Sequence, residues 1–242
     1  MNGTTIKAEL EDVRPGQAAL AWGVHALTAS GAVIGTVALL AMFQGNLGRA
    51  GILILVALAI DSVDGTLARA ARVSEVLPSF NGRRLDDMVD YLNYVIVPAV
   101  FLIQAGSLLS WHWAALPILA SAYGFSQENA KTEDNFFLGF PSYWNVIALY
   151  AWLFDVSPGV GSAIVTLFSA LVFVPLKYLY PSKMPRFRTG MTALGVVWIV
   201  AMAFACLSPD LAGGWLAKLS LLYPALYLGL SFWLGGLHRA PR

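Results

Sequence analysis

The chain has 242 residues, 58% of them apolar and 12% charged, with a net charge of +1. So small a charged share points away from a soluble domain, and the balanced charge suggests no nucleic-acid-binding face. A single cysteine, Cys206, excludes an internal disulfide and a cysteine metal cluster.

Residues 1–18 are polar and mixed in charge. They lack the basic start, apolar centre and small-residue cleavage site of a signal peptide, and read as an interfacial segment before the first span. Eight apolar segments follow, at 19–43, 47–69, 85–106, 111–126, 141–154, 160–180, 190–207 and 213–236. A bilayer core requires about 20 such residues, and the fifth segment is the shortest. No internal repeat and no long linker divides the chain, so residues 1–242 read as one membrane domain.

Basic residues set the orientation. With eight spans, Lys7, Arg14, Arg69, Arg72, Arg83, Arg84, Lys131, Lys177, Lys183, Arg186, Arg188, Arg239 and Arg242 share one side, leaving Arg49 and Lys218 on the other. That asymmetry puts both termini in the cytoplasm. The expected fold is therefore an all-α integral membrane protein of about eight transmembrane helices. Six spans, with two segments interfacial or re-entrant, is the alternative.

Acidic residues cluster at the cytoplasmic ends of the second and third segments, where the active site is expected. Asp61 and Asp64 lie about 60° apart on one helix face. Gly65 and Ala68 follow each of them by four residues, so the acidic face also carries small side chains. On the next helix Gly82, Asp86, Asp90 and Tyr94 recur every fourth residue. Four carboxylates at a membrane edge would repel one another, and a bound cation offsets this. Oxygen-only ligands favour Mg²⁺ or Mn²⁺, and two such ions can clamp a phosphoryl transfer. Arg69, Arg83 and Arg84 flank the cluster and match phosphate oxygens.

The pattern D-x-x-D-G-x-x-A-R followed by G-x-x-x-D-x-x-x-D resembles the signature of the CDP-alcohol phosphatidyltransferases. It is carried here by Asp61, Asp64, Gly65, Ala68, Arg69, Gly82, Asp86 and Asp90. The resemblance implies that Asp61, Asp64 and Asp86 ligate metal. It implies that Asp90 contacts metal and is the base for the acceptor hydroxyl. Gly65, Ala68, Arg69 and Gly82 would form the CDP pocket, and a homodimer is implied. Twelve residues separate Arg69 from Gly82, longer than the common family spacing. In this, and in the stretches 122–145 and 177–188, the chain is similar to the bacterial phosphatidylcholine synthases within the family. The expected substrates are then CDP-diacylglycerol and choline, in a bacterial inner membrane.

Choline's quaternary ammonium is held by aromatic faces, often beside a carboxylate. Tyr94, Tyr91, Tyr123, Tyr143 and Trp144 are the candidates, with Glu128 and Asn145 as polar contacts. Aromatic residues also gather at any membrane interface. A phosphatidylserine synthase, or another member with a different acceptor alcohol, is the alternative within the class. A cation-coupled transporter is the alternative outside it, since membrane carboxylates often mark ion paths. Thr28 and Ser30 read as helix–helix contacts, and His25 as a packing hydrogen-bonder.

Overall fold

A computed structural model describes residues 14–128, 130, 132, 134, 136–180, 187–209 and 214–236. Of the expected interfacial segment, residues up to 13 lie outside the described ones, and residues 15–18 belong to the first helix. Lys7, Lys131, Lys183, Arg186, Arg239 and Arg242 also lie outside them.

Helix α1 (Pro15–Phe43) opens with proline, whose missing N–H costs nothing in a first turn. Gly45, with φ of 74°, turns the chain back. Helix α2 (Leu47–Ala70) begins at Asn46, whose side chain accepts from Arg49 N at 2.9 Å. The two pack as an antiparallel pair. Arg72 takes a left-handed conformation, and the single turn α3 (Val73–Val76) buries Val73, Val76 and Leu77 against Ala21 and Val24 of α1.

Helix α4 (Gly82–Tyr91) is capped by Asn81, which accepts from Arg84 N at 3.0 Å. It runs on through a π-turn (Leu92–Ile96) into α5 (Val97–Gln104). In the π-turn, Val97 N donates to Leu92 O, five residues back. The cause is Pro98, which has no N–H and whose ring would collide with the Tyr94 carbonyl in a regular helix. Sequence periodicity predicts a regular helix here, so the wide turn is a departure.

A 3₁₀ turn (Trp111–Ala114) leads into α6 (Ala115–Phe125). Then come β1 (Phe136–Leu138), α7 (Trp144–Leu153), α8 (Pro158–Val172) and β2 (Lys177–Leu179). The last helices are α9 (Arg188–Leu207), α10 (Gly214–Ser220) and α11 (Leu222–Leu234).

The chain is thus mostly helical, with one departure from an all-α expectation. Strands β1 and β2 pair antiparallel, Phe137 opposite Tyr178. The expected apolar segment 160–180 is therefore split. Pro175 disfavours helix in the residue before it, α8 stops at Val172, and the chain continues as β2. Lys177 Nζ donates to Asp134 Oδ2 at 2.6 Å and holds that carboxyl below its ordinary range. Two side chains of α11 pin the ribbon: Leu179 N donates to Ser231 Oγ at 3.1 Å, and Tyr227 Oη donates to Leu179 O at 3.0 Å.

Four helical stretches among the described residues are long and apolar enough to cross a membrane: Pro15–Phe43, Leu47–Ala70, Arg188–Leu207 and Gly214–Leu234. Helices α7 and α8 are shorter, about 15 and 22 Å at 1.5 Å per residue against a core of about 30 Å. Their burial comes instead from one large apolar cluster holding Phe101, Trp144, Leu149 and Met202.

Candidate active site

The site is built where α1, α2 and α4 meet. Gly31 of α1 lets α4 come close: a Cβ there would lie 2.9 Å from Val89 Cγ1. Asn93, in the π-turn, locks this approach by donating from Nδ2 to Gly31 O at 3.0 Å. The register that results aims α4's acidic face at α2.

Asp61 from α2 and Asp86 and Asp90 from α4 each offer a carboxylate oxygen within 4.8 Å of the others. Asp61 and Asp90 also lie within side-chain hydrogen-bond reach of each other. Two carboxylates so close need a shared proton or a cation between them. The donors are all oxygen, which suits a hard divalent ion. These residues fit the group that the sequence implies.

Asp64 is placed differently. It is 4% exposed, beneath α1, and its Oδ2 accepts from Thr28 Oγ1 at 2.8 Å. It lines the same small pocket as Asp61 and Asp90, but stands outside the tight group of three. Burying a carboxylate is costly without a hydrogen bond, and Thr28 supplies one.

Tyr94 holds the other α2 carboxylate. Its hydroxyl donates to Asp61 Oδ2 at 2.5 Å. Tyr94 continues the face of Asp86 and Asp90 at fourth-residue spacing, and both Asn93 and Tyr94 are buried in the π-turn. Beyond Tyr94 lies a line of phenols. Its ring centroid is 6.1 Å from that of Tyr143, and Tyr143 is 5.7 Å from Tyr227. The Tyr143 and Tyr227 rings meet edge to face, with Tyr180 and Tyr223 close by.

The proposed CDP contacts form the outer rim. Gly65 is open: an added Cβ would meet only Arg69 Nη1, at 3.5 Å. Ala68 packs against the Val73–Leu77 cluster. Arg69, Arg83 and Arg84 are exposed, Arg69 receiving only a local restraint by donating from Nη2 to Thr66 Oγ1 at 3.0 Å. Gly82 lies against the imidazole of His25.

Of the aromatic candidates, the structure brings Tyr94 and Tyr143 together beside Asp61. It takes Tyr91 elsewhere: its hydroxyl donates to Ile118 O at 2.9 Å and its ring meets Phe125. Tyr123 is exposed and packs on Phe173. Trp144 is fully buried, donating from Nε1 to Ser121 Oγ at 2.8 Å. Asn145 is buried and accepts from Val146 N at 2.9 Å, while Glu128 is exposed. Sequence reasoning missed Asn93 and Tyr227, and saw in Thr28 only a packing contact. Their partners lie far along the chain, so no local spacing marks them.

The arrangement is a cluster of carboxylates that could hold a cation, beside a basic rim. Comparison with known proteins agrees. The model of the CDP-alcohol phosphatidyltransferase family matches residues 25–221. The chain belongs to the CDP-alcohol phosphatidyltransferase family. It is a phosphatidyltransferase, and the eight signature residues all fall within the matched region. A phosphatidylcholine synthase of Legionella pneumophila is 40% identical over 226 residues, covering 88% of each chain. One from Pseudomonas aeruginosa is 36% identical over 224 residues, 89% of this chain and 92% of the relative. One from Borreliella burgdorferi is 36% identical over 172 residues, 70% of this chain and 74% of the relative.

Proposed function

We propose that this phosphatidyltransferase takes CDP-diacylglycerol and choline and releases phosphatidylcholine and CMP. The single observation that carries the reading is the convergence of Asp61, Asp86 and Asp90 beside the paired rings of Tyr94 and Tyr143. The names of the relatives point to the same acceptor.

Asp61, Asp86 and Asp90 would hold the divalent ions, Mn²⁺ or Mg²⁺ and two in number, with Asp64 at hand from the same face of α2. When bound, such ions supply positive charge against a diphosphate and a departing CMP. The chain's own residues do the rest. Tyr94 and Thr28 fix the two α2 carboxylates, so their orientation is set before substrate arrives. Arg69, Arg83 and Arg84 attract the diphosphate to the rim.

Asp90 removes the proton from the choline hydroxyl. That oxygen forms a bond to the phosphorus that carries diacylglycerol. The bond from this phosphorus to the bridging oxygen breaks, and its electron pair leaves with CMP. A positioned base is needed because a choline hydroxyl is not nucleophilic at neutral pH by itself. The phenol faces of Tyr94, Tyr143 and Tyr227 take the quaternary ammonium, which offers no N–H to a hydrogen-bonding site.

The reading includes eight crossings of a bacterial inner membrane with the site on the cytoplasmic side. Four helical stretches long and apolar enough to cross support a multi-pass chain, and the basic residues Arg14, Arg69, Arg72, Arg83 and Arg84, at the ends of α1, α2 and α4 around the site, support its cytoplasmic side.

The test is CMP release in detergent micelles containing CDP-diacylglycerol and Mn²⁺. Choline, serine, inositol and glycerol 3-phosphate are offered separately, with a chelator control. Turnover with choline alone is expected. Turnover with another alcohol and none with choline would discard the acceptor.

A further inference from the structure

Tyr143 is held in place by its two neighbours in the chain. Ser142, before it, has φ of 57°, a left-handed conformation that serine seldom adopts. Trp144, after it, opens α7. Trp144 N donates to Ser142 O at 2.7 Å, and Tyr143 between them has φ of −74° and ψ of 52°. This is an inverse γ-turn with Tyr143 at its centre. The turn sets the direction in which the Tyr143 side chain leaves the backbone.

One hydroxyl serves both neighbours. Ser121, on α6, is fully buried. Its Oγ accepts from Ser142 Oγ at 2.9 Å and from Trp144 Nε1 at 2.8 Å. Both donors belong to buried residues, so each would be costly to leave unpaired. A strained backbone persists only where its surroundings over-determine it, and such residues gather at functional sites. Glycine would give the left-handed turn without strain. Serine gives it only while its hydroxyl is held.

The upstream end of this stretch is fastened as well. Gly139, with φ of 78°, lies so close to the end of α8 that a Cβ would collide with Val172 O. Gly139 N donates to Leu176 O at 2.9 Å, and Phe140 N to Leu171 O at 3.0 Å. The last turn, at Ser142, is the part that Ser121 decides. The ring it presents faces the site. Its centroid is 6.1 Å from that of Tyr94, whose hydroxyl bonds Asp61.

We infer that Ser121 is a positioning residue for the acceptor alcohol: it holds Ser142 and Trp144, and through them aims the Tyr143 ring at the ammonium group. The inference rests on choline being the acceptor and on Tyr143 meeting its ammonium. Ser121 acts through the turn and touches no substrate. A cation–π contact needs the cation over the face of the ring. Releasing the turn therefore weakens the hold on the acceptor and leaves the carboxylates and the lipid donor as they were.

The test is steady-state kinetics on the full chain in detergent micelles with Mn²⁺, varying choline and CDP-diacylglycerol in turn. Ser121→Ala removes the shared acceptor of both bonds. The KM for choline is expected to rise roughly tenfold, part of the worth of one cation–π contact, with the KM for CDP-diacylglycerol unchanged. Ser142→Ala and Ser142→Gly both lose the serine hydroxyl, but only glycine takes the left-handed turn freely. Ser142→Ala should therefore raise the choline KM as Ser121→Ala does, and Ser142→Gly should stay near the wild-type value. Should Ser121→Ala fail to fold, the Ser142 pair decides alone. Equal choline KM values in the two Ser142 variants would overturn the inference. So would a Ser121→Ala variant that changes neither KM, or both alike. Those results leave the choline reading standing. A wild-type protein that turns over another alcohol and not choline would sink the acceptor reading and this inference together.

Discussion

The hydroxyl of Tyr94 donates to Asp61 Oδ2 at 2.5 Å, joining the π-turn after α4 to a carboxylate of α2. This contact gives Tyr94 a task that an aromatic wall for an ammonium group does not. It orients a carboxylate proposed to hold metal, and partners of metal ligands are worth about 10–100-fold in metal affinity. Tyr94→Phe keeps the ring and loses the hydroxyl. Mn²⁺ affinity, read by calorimetry, should fall by about that factor, while the KM for choline changes little. A selective rise in the choline KM would assign the hydroxyl to the acceptor instead.

Thr28 does the same for Asp64 across 36 residues of sequence. In Thr28→Val the buried carboxylate keeps its burial and loses its donor, which costs about 1–3 kcal/mol. The melting temperature should drop, and turnover with it. Thr28→Ser should recover both. Stability of the valine variant equal to wild type would show that Asp64 finds another donor.

Asp90→Asn removes the proposed base and one carboxylate charge of the acidic cluster. CMP release should fall below detection while CDP-diacylglycerol still protects the protein against thermal unfolding. Normal turnover in this variant would refute the assignment of Asp90 as base.

The line from Tyr94 through Tyr143 to Tyr227 makes a prediction about the acceptor. Tyr143→Leu removes the middle aromatic face. A cation–π contact in a desolvated site is worth about 2 kcal/mol, or roughly 30-fold in binding. The choline KM should rise by that order with the KM for CDP-diacylglycerol unchanged. Equal effects on both substrates would make Tyr143 a packing residue.

Gly82 and His25 should be coupled. In Gly82→Ala the new Cβ meets a rigid ring at 2.6 Å, and overpacking of this kind costs about 1–3 kcal/mol. His25→Ala in the same chain removes the obstacle. Chemical denaturation of the two single variants and the double should therefore be non-additive. Additive effects would show that Gly82 is needed for the helix start alone.

Much of the site was legible in the sequence because its parts repeat at helical spacing. Asp61 and Asp64 share a face of α2, and Gly82, Asp86 and Asp90 share a face of α4, since a helix returns to the same side every three to four residues. Composition alone dictated a helical membrane chain, because 58% apolar residues in runs near 20 have no other stable place. Aromatic identity alone did not say which tyrosines matter. Tyr91 and Tyr94 are three residues apart, yet one donates to Ile118 and the other to Asp61.

That choice belonged to tertiary structure. Asn93, buried in the π-turn, fastened its helix to Gly31 across 62 residues, and Tyr94 beside it met Asp61. Thr28, His25 and Tyr227 acquired their places the same way, from chains brought side by side by packing. Local periodicity records which residues share one helix face. It carries no information about which other face will meet it, because that is decided by the fit of small residues and buried hydrogen bonds between helices.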